Sequence, residues 1–365
     1  MRRNVLVPMT SAELGGSQMS LLRLVDALGP DEFSFRLWLF EEGPLAREWK
    51  SRGLPFERFP RSAPRTPWGL ARLSRRLAAE RPDLVYLHAS RVLAVLARRL
   101  GIPCVERINM TRGAGAGGWA RFACVDRLFT TANTKVVAVS EAIRNQLVAR
   151  EVPEERVVVI RNFVDADRFH RPDLREPARA ELAIPAGAVV VLGVGRLVPQ
   201  KAPADFVEIA AACAARDPRL RFVLVGEGPL LSKIDALSRR HGLEGRLWIL
   251  PFEREVERLY AAADLLLHTA HWEPLANVIL EAMAAGLAVV ATDVDGTREA
   301  VCDGESGLLF PPGNRERAVE AVLSLAADAG RRRALGERAA ERTRRLFAVG
   351  PVAARYRDLF RSLCP

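Results

Sequence analysis

Cysteine is scarce in this sequence of 365 residues, and the five cysteines that it contains lie far apart. None of them forms a Cys-x-x-Cys pair, the usual spacing of a structural zinc site. A disulfide framework needs a higher density of cysteine than this chain offers. The sequence therefore indicates neither kind of cross-link, and we expect a cytoplasmic protein.

Long apolar runs are absent as well. No segment approaches the roughly 20 apolar residues that span a bilayer, and the apolar stretch after Met1 ends at Pro8, too early for a signal-peptide core. The composition, with 49% apolar and 27% charged residues, is that of a globular protein. At roughly 150 residues per domain, the length predicts two domains with separate cores.

Acidic residues are under-represented in the first half of the chain only. Residues 1–171 contain 28 Lys+Arg and 18 Asp+Glu, whereas residues 172–365 contain 26 of each. The formal net charge of +10 therefore comes entirely from the first half. Such an asymmetry indicates an anionic partner for that half.

The densest basic segment, residues 58–81, contains seven arginines and one acid. Trp68, Leu70, Leu73 and Leu77 are interleaved there at helical spacing, as in a basic amphipathic helix that rests on an anionic membrane surface. An ordinary surface helix explains the pattern equally well, since 50 of the 54 basic residues are arginine, and both interpretations stay open. Nucleic acid is not expected, because no nucleic-acid-binding motif accompanies the charge.

Short apolar, β-branched runs alternate with helical patterns along the chain, which predicts parallel sheets covered by helices on both faces. We expect an α/β fold with two Rossmann-like doubly wound domains facing across a cleft, with ligands beyond the carboxyl ends of the strands. A polar, proline-bearing segment interrupts the alternation. The expected boundaries are 1–168 for the first domain, 169–187 for a linker, 188–345 for the second domain and 346–365 for a helix that returns to the first.

Two segments of the second domain carry candidate binding residues. The first, VVVLGVGRLVPQK at 189–201, predicts a strand that ends in Gly193 and Gly195 and is followed by Arg196 and Lys201. The glycines permit a tight turn, and an arginine fork and a lysine can converge on one phosphate group. The segment matches neither GxxxxGK[ST] nor GxGxxG, so a pair of ordinary surface cations is the alternative.

The second segment, HTAHWEPLANVILEAMAAG at 268–286, predicts a helix over 275–285. Pro274 suits its first turn and Gly286 suits the position after its end. The backbone N–H groups of Leu275, Ala276 and Asn277 would then form an anion site at the positive end of the helix dipole.

Glu273 and Glu281 are separated by roughly 12 Å if they lie along one helix. Two carboxylates at that distance can accept hydrogen bonds from hydroxyl groups at the two ends of a sugar nucleotide while cations hold its phosphates. The structural alternative makes Glu273 a charge at a helix N-terminus and Glu281 a solvent-facing residue. The apolar neighbours of Glu281 favour function, because a buried carboxylate needs a partner.

These segments together resemble the nucleotide-sugar domain of the retaining group 1 glycosyltransferases, which have the two-domain GT-B fold. The resemblance extends over residues 193–313 and includes LVGEGP, LYAAADLLLH and DGTREAVCDGESGLLFPPGN. The first half of the chain matches more loosely, through Gly15 and Gly16, AVSEAIR and VIRNFVDADRF.

The resemblance implies a role for each candidate. Arg196 and Lys201 would bind the donor diphosphate, Glu281 the ribose and Glu273 the hydroxyls of the donor sugar, while Gly16 and its loop close over the phosphates. Charge develops on the departing nucleoside diphosphate, so Arg196, Lys201 and Glu273 are the expected catalytic residues.

The family uses these cations where other transferases use a metal, so the resemblance implies that no divalent metal and no other cofactor is required. Gly195 belongs to the implied donor site through its backbone. The Asp-x-Asp sequence at Asp293 and Asp295 is interpreted as structural.

Some positions depart from the family pattern. Asn109 stands where many relatives have a histidine near the reaction centre, and asparagine cannot act as a base near neutral pH. His88 is the other acceptor-side candidate, although a lone histidine also serves as a packing residue. Ala202 stands where the family usually has glycine, and Ala276 stands where glycine or proline is common. The glycine-rich residues 112–118 are predicted to form a loop at the cleft.

The expected function is a retaining, metal-independent hexosyl transfer from a nucleotide diphosphate sugar, with a UDP-sugar favoured. The expected acceptor is a glycan or lipid-linked intermediate of cell-surface polysaccharide biosynthesis, used in the cytoplasm or at the inner face of the membrane. One alternative is a nucleotide-sugar 2-epimerase of the same fold, which needs more acid and base residues than the sequence offers. The other is a non-catalytic nucleotide-sugar-binding protein, an alternative motivated by Asn109.

Overall fold

The computed structural model describes residues 2–88, 91–109, 134–252 and 255–364. The chain divides into two compact units, each built on one parallel sheet. Unit 1 consists of Met1–Asn162 together with Val349–Pro365, and unit 2 of Phe163–Ala348. Among the described residues, no helix combines the length and the apolar character needed to span a bilayer.

Seven strands form the sheet of unit 1 within the described residues. They are β1 (Arg3–Met9), β2 (Phe33–Leu39), β3 (Phe56–Arg58), β4 (Leu84–Leu87), β5 (Cys104–Ile108), β6 (Thr134–Ala138) and β7 (Val157–Val159). Their order is β3-β2-β1-β4-β5-β6-β7, all parallel. The winding therefore reverses between β1 and β4, which is the switch point where such sheets bind ligands.

The helices of unit 1 cover both faces of this sheet. Those described are α1 (Gly16–Leu28), α2 (Pro44–Ser51), α3 (Pro67–Glu80), α4 (Arg91–Arg99), α5 (Glu141–Val148) and the C-terminal helix (Val349–Leu363). The C-terminal helix packs Phe360 edge-on against Phe33, with ring centroids 5.7 Å apart. Because Phe360 and Tyr356 are buried, the end of the chain is part of the core of unit 1.

Unit 2 repeats the same plan with six strands in its described part. They are β8 (Val189–Val194), β9 (Leu220–Val225), β10 (Leu247–Leu250), β11 (Leu265–His268), β12 (Ala288–Thr292) and β13 (Leu308–Phe310). The order β10-β9-β8-β11-β12-β13 puts its switch point between β8 and β11. The four inner strands, β9, β8, β11 and β12, are buried apolar runs, as expected when helices cover both faces, and the two edge strands are half-buried.

The described helices of unit 2 form two layers around this sheet. They are α6 (Ala166–Phe169), α7 (Arg175–Glu181), α8 (Pro203–Ala214), α9 (Leu231–Arg240), α10 (Glu257–Ala262), α11 (Asn277–Ala284), α12 (Asp295–Ala300), α13 (Arg315–Ala327) and α14 (Ala329–Leu346). The expected fold class is therefore confirmed, since both halves of the chain are doubly wound parallel α/β sheets.

The segment expected to be a linker, residues 169–187, is instead part of unit 2. Phe169 is fully buried and packs edge-on against Tyr260 of α10, with ring centroids 5.4 Å apart. Arg175 and Arg179 of α7 each form an ion pair with Asp264, at 2.7 and 2.6 Å. These contacts order a polar, proline-bearing segment whose composition alone predicts a free connection.

Candidate active site

The loop that follows β8 begins the candidate site of unit 2. Gly195 donates its N–H to the Val225 carbonyl at 2.9 Å, which brings the ends of β8 and β9 together. A Cβ added to Gly226, whose φ is +149°, would lie 1.9 Å from the Gly195 carbonyl oxygen. Only glycine fits such an approach, so Gly226 of the LVGEGP motif fixes the path of the loop that presents Arg196.

Arg196 and Lys201 follow on this loop, and the two differ in their surroundings. The Arg196 side chain is exposed, and no described residue forms an ion pair or hydrogen bond with its guanidinium. Lys201 is largely buried and ends a short 3-10 turn, Pro199–Lys201. Arginine is thus available to an incoming anion, whereas lysine already has a partner within the protein.

Ala202 begins α8 in a left-handed conformation, with φ 46° and ψ 53°. The left-handed backbone conformation suits glycine and is strained for alanine. Glycine is the residue common at this position in the resembled family. The Thr269 hydroxyl compensates by donating to the carbonyl oxygens of Lys201 and Ala202, at 3.0 and 3.1 Å. The end of β11 therefore holds the loop that carries Lys201.

Glu273 is the partner of Lys201. Its carboxylate is buried, and Oε2 accepts a hydrogen bond from the Lys201 ammonium. The Nε2 atom of His268 lies 3.6 Å from the same oxygen. Burial alone would raise the pKa of Glu273, but Lys201 and His268 hold it down to about 2. The carboxylate is therefore ionised at neutral pH.

The backbone of Glu273 is held by α12, which lies beyond α11 in the sequence. Its carbonyl accepts from the Gly296 N–H of α12 at 3.1 Å, and a Cβ on Gly296 would lie 1.6 Å from the Pro274 carbonyl oxygen. This contact corrects the expected helix 275–285: α11 begins at Asn277, and Leu275 and Ala276 precede it, both buried. Gly286 has a left-handed φ of 78°, as expected after the helix.

Glu281 lies on α11 and is buried. Its Oε2 accepts a hydrogen bond from the Tyr260 hydroxyl of α10 at 3.0 Å. The apolar setting predicted from its neighbours is therefore correct, and the protein itself supplies a partner for the carboxylate. The structural alternative of a solvent-facing Glu281 is wrong.

A pocket at the carboxyl ends of β8 and β11 brings several of these residues together. Its lining includes Gly195, Arg196, Lys201, His268 and Thr269. Glu273 contacts two of these residues, Lys201 and His268. Two cations and a carboxylate thus converge at the switch point of unit 2, an arrangement suited to an anionic ligand that also carries hydroxyl groups.

The acceptor-side candidates also meet, at the switch point of unit 1. The Ser17 hydroxyl accepts from the Asn109 side-chain amide at 2.7 Å and lies 3.3 Å from Nδ1 of His88. Ser17 is the second residue of α1, directly after Gly16, and the Gly15 N–H is capped by the Gln18 side chain at 3.3 Å. Ser17 therefore links the two residues that the sequence singles out separately.

His88 is buried, and burial lowers its pKa to about 3, assisted by the nearby positive charge of Arg107. The imidazole is therefore neutral at pH 7. Because Ser17 accepts from Asn109, its own hydroxyl hydrogen can be donated to Nδ1 of His88, which leaves the ring proton on Nε2. No described residue forms a hydrogen bond with that Nε2.

Comparisons with known proteins agree with this geometry. The family model described as glycosyl transferases group 1 matches residues 175–342, and that of glycosyltransferase family 4 matches residues 14–168. Alpha-maltose-1-phosphate synthase of Mycolicibacterium smegmatis is 32% identical over 269 residues, covering 68% of each chain. This chain belongs to the group 1 glycosyl transferases.

Two further similarities bear on this group 1 glycosyl transferase. A D-inositol 3-phosphate glycosyltransferase of Streptomyces bingchenggensis is 31% identical over 296 residues, covering 78% of this chain but only 63% of that protein. The chain thus spans less than two thirds of that relative. The crystal structure of HepE from Anabaena with UDP-glucose superimposes with a TM-score of 0.89 at 23% identity, covering 99% of this chain and 100% of that chain, and so shares its fold.

Sequence reasoning missed two residues of these clusters, His268 and Ser17. Both lie beside a residue that it did single out, and only the topology shows why they matter: His268 ends the strand next to β8, and Ser17 opens the helix after β1. His268 is a polar residue at the end of a strand beside the switch point, and this position is the signal that would have identified it.

Two other sequence interpretations concern residues outside these clusters. Asp293, of the Asp-x-Asp sequence, forms an ion pair with Arg298. The glycine-rich residues 112–118 lie outside the described residues, so the prediction of a loop at that position stays a prediction.

Proposed function

We propose that this protein transfers a sugar from a nucleoside diphosphate sugar to an acceptor hydroxyl, with retention at the anomeric carbon and without a metal. The observation that carries the proposal is the convergence of Arg196, Lys201 and Glu273 at one switch point. Retention is taken from the family resemblance, and a UDP-sugar is favoured because a structure of the same fold was solved with UDP-glucose.

In this proposal the cations act on the leaving group. Arg196, which has no protein partner among the described residues, binds the diphosphate directly, and the Lys201 ammonium turns part of its hydrogen bonding from Glu273 to a phosphate oxygen. Negative charge grows on the diphosphate as the glycosidic bond breaks, so fixed cations stabilise the transition state more than the ground state. Residues 275–277, which lead into α11, are proposed to lie beside the phosphates, and Gly195 to shape the turn that carries Arg196.

Glu273 is proposed to orient the donor sugar. Its Oε2 accepts a hydrogen bond from Lys201 and lies 3.6 Å from Nε2 of His268, whereas no described residue donates a hydrogen bond to Oε1. A sugar hydroxyl can therefore donate to Oε1 without displacing a protein group. Glu281, held by Tyr260, is proposed to receive the ribose hydroxyls, and His268 is proposed as a positioning residue for the Glu273 carboxylate.

The acceptor side is proposed to be the cluster of Ser17, His88 and Asn109 in unit 1. None of these groups is charged at neutral pH, since the pKa of His88 is about 3, so the cluster suits a neutral hydroxyl. With no base in it, the donor phosphate itself is the proposed proton acceptor. A glycan or lipid-linked acceptor of cell-surface polysaccharide biosynthesis, met in the cytoplasm at a membrane face, fits this chemistry.

The test measures UDP binding by calorimetry and UDP release from UDP- and GDP-sugars with the full chain. Arg196→Ala and Lys201→Ala are expected to lower turnover by about 10²–10³-fold each, because each removes a cation facing the leaving group. Arg331→Ala, which removes an exposed arginine of α14, is the control and should match the wild type.

Three other outcomes would each count against part of the proposal. Tight UDP binding without release from any sugar nucleotide would favour the non-catalytic binding protein. Conversion of the donor to its 2-epimer would favour the epimerase. Wild-type rates in both cation variants would remove the proposed site.

A further inference from the structure

In the basic segment of residues 58–81, the helical periodicity predicts a leucine face that is free to lie on a membrane. The structure exposes a different face. Leu73 and Leu77 of α3 are fully buried in the core of unit 1, where they pack with Phe59 and Trp38. Two of the three leucines expected on a lipid-facing side, Leu73 and Leu77, are therefore occupied by the protein, and Leu70 is half-buried. A helix that lies in the membrane plane on its leucines is ruled out.

The opposite side of α3 carries Trp68, Arg72 and Arg75. These residues are spaced four and three apart, so they lie on one helical face, and all three are exposed. Trp68 is 86% exposed, the highest value among the large exposed apolar side chains of the described residues. With Arg61, which precedes the adjoining turn Ala63–Arg65, and Arg65, which ends it, they form what we call the Trp68 face.

The arginines of the Trp68 face are not neutralised by nearby acids. Glu42 pairs with Arg58, and Glu57 and Glu80 both pair with Arg76. Within the described part of the chain, Arg61, Arg65 and Arg75 have no ion pair, and Arg72 contacts only the Phe59 ring, at 5.7 Å. Glu80 also pairs with Arg36, at 3.3 Å. The acids of this region are thus used by Arg36, Arg58 and Arg76, and the remaining arginines leave a surplus of positive charge.

The turn and the helix that carry the Trp68 face are held together by the backbone. A Cβ added to Gly69 would lie 2.3 Å from the Ala63 carbonyl oxygen, so the first turn of α3 lies directly on the turn Ala63–Arg65. Thr66 caps the helix by accepting from the Gly69 N–H at 3.2 Å, and Pro67 follows it. The indole and the arginines are therefore presented by one ordered element.

We propose that the Trp68 face docks on an anionic lipid bilayer, with the indole at the level of the headgroups and the arginines on the lipid phosphates. Tryptophan favours that interface because it is apolar with one polar N–H. Each arginine held near an anionic surface contributes additional, salt-sensitive attraction. The Trp68 face is distinct from the residues of the candidate active site.

The same features disfavour a single-stranded nucleic acid as the occupant. Proteins that bind such strands combine positive charge with several aromatic side chains, on which successive bases stack. Among the described residues of unit 1, Trp68 is the single large apolar side chain that is strongly exposed. One isolated indole beside several arginines suits a lipid interface instead.

The test is co-sedimentation of the full chain with vesicles of phosphatidylcholine alone and of phosphatidylcholine mixed with phosphatidylglycerol. We expect binding to the mixed vesicles only, weakening as salt rises. Arg65→Gln with Arg75→Gln should lower the partition coefficient roughly 30-fold, about fivefold for each arginine. Trp68→Ala should lower it roughly tenfold and remove the blue shift of tryptophan fluorescence on binding.

The matched control is Arg331→Gln with Arg333→Gln, which removes the same charge from two exposed arginines of α14 in unit 2. It should bind mixed vesicles like the wild type, and all variants should share one melting temperature. Vesicle binding that is absent, or that is unchanged in the Trp68 and arginine variants, would overturn the proposal. So would binding that depends on the arginines but not on Trp68, or a stronger affinity for single-stranded RNA lost with the same residues.

Discussion

Two buried histidines occupy the same place in the two sheets, and their surroundings are opposite in character. His88 follows β4 and His268 ends β11, and each of these strands lies beside the first strand of its sheet. His88 lies beside the Ser17 hydroxyl, at 3.3 Å, whereas His268 lies 3.6 Å from the carboxylate that Lys201 also contacts. The topology sets where the histidines lie, while the loop residues decide whether their surroundings are neutral or charged.

This difference assigns the two halves of the reaction to the two units in our proposal. Binding a diphosphate needs a cation, and a buried cation needs an ordered carboxylate as its counterion. Unit 2 has both, in Lys201 and Glu273. An acceptor hydroxyl needs neutral hydrogen-bonding groups, which unit 1 has in Ser17 and Asn109. One doubly wound fold can serve both purposes because the strand ends are the same and only a few side chains differ.

The largest expected difference between the two clusters is in stability. Glu273→Gln keeps the shape of the side chain but leaves the largely buried Lys201 ammonium without its counterion, which should cost about 3 kcal/mol of unfolding free energy. Ser17→Ala removes a neutral hydroxyl between Asn109 and His88, and about 1 kcal/mol is expected. Urea denaturation checks both, with Glu244→Gln, at an exposed position outside the helices, as a control near zero. Equal losses of unfolding free energy for Glu273→Gln and Ser17→Ala would contradict the difference between a charged and a neutral cluster.

The second difference lies in the pH dependence of stability. The folded pKa of His88 is about 3, below the usual value of 6.5, so between these values the unfolded chain binds a proton that the folded chain does not. Stability should therefore fall, through this group, as the pH drops from about 6.5 to about 3.

The measurement compares urea denaturation of the wild type and His88→Gln across that range. The variant should lose the contribution of His88 to the slope, whereas His170→Gln, which replaces an exposed histidine, should keep the wild-type slope. Parallel stability curves for the wild type and His88→Gln would mean that the unit 1 cluster is not neutral and buried as described.

The smallest expected effect concerns the loops themselves. The loop of unit 2 contains Ala202 in a left-handed conformation, whereas Gly15 at the start of α1 is extended, with φ −111°. Ala202→Gly should therefore stabilise the protein by about 1 kcal/mol. Ala211→Gly, within α8, should destabilise it by about the same amount. A loss of thermal stability in Ala202→Gly would show that the alanine side chain contributes more than its backbone costs.

Much of the fold follows from periodicity. The apolar runs at Cys104–Ile108, Leu265–His268 and Ala288–Thr292 predict strands, and β5, β11 and β12 have these bounds. β3 is missing from the prediction because it has three residues at the edge of the sheet. α14 is missing because its many arginines hide the few apolar positions, such as Leu335 and Ala339, that face the core.

The candidate site is less visible in the sequence. Arg196, Lys201, Glu273 and Glu281 stand out by residue type and spacing, but their partners do not. The start of α11 is displaced because the backbone of α12 holds Glu273, which is a contact between segments separated in the sequence. His268 and Ser17 enter the clusters for the same reason, since strand order and not sequence distance brings them there.

The close approach of α12 to the Glu273 segment has a practical consequence for altering donor preference. Since a Cβ at position 296 would lie 1.6 Å from the Pro274 carbonyl oxygen, the carboxylate is held in place by main chain against main chain. A library that varies the exposed Trp272, the sequence neighbour of Glu273, leaves this main-chain contact in place. Every productive member of such a library is expected to retain glycine at 296.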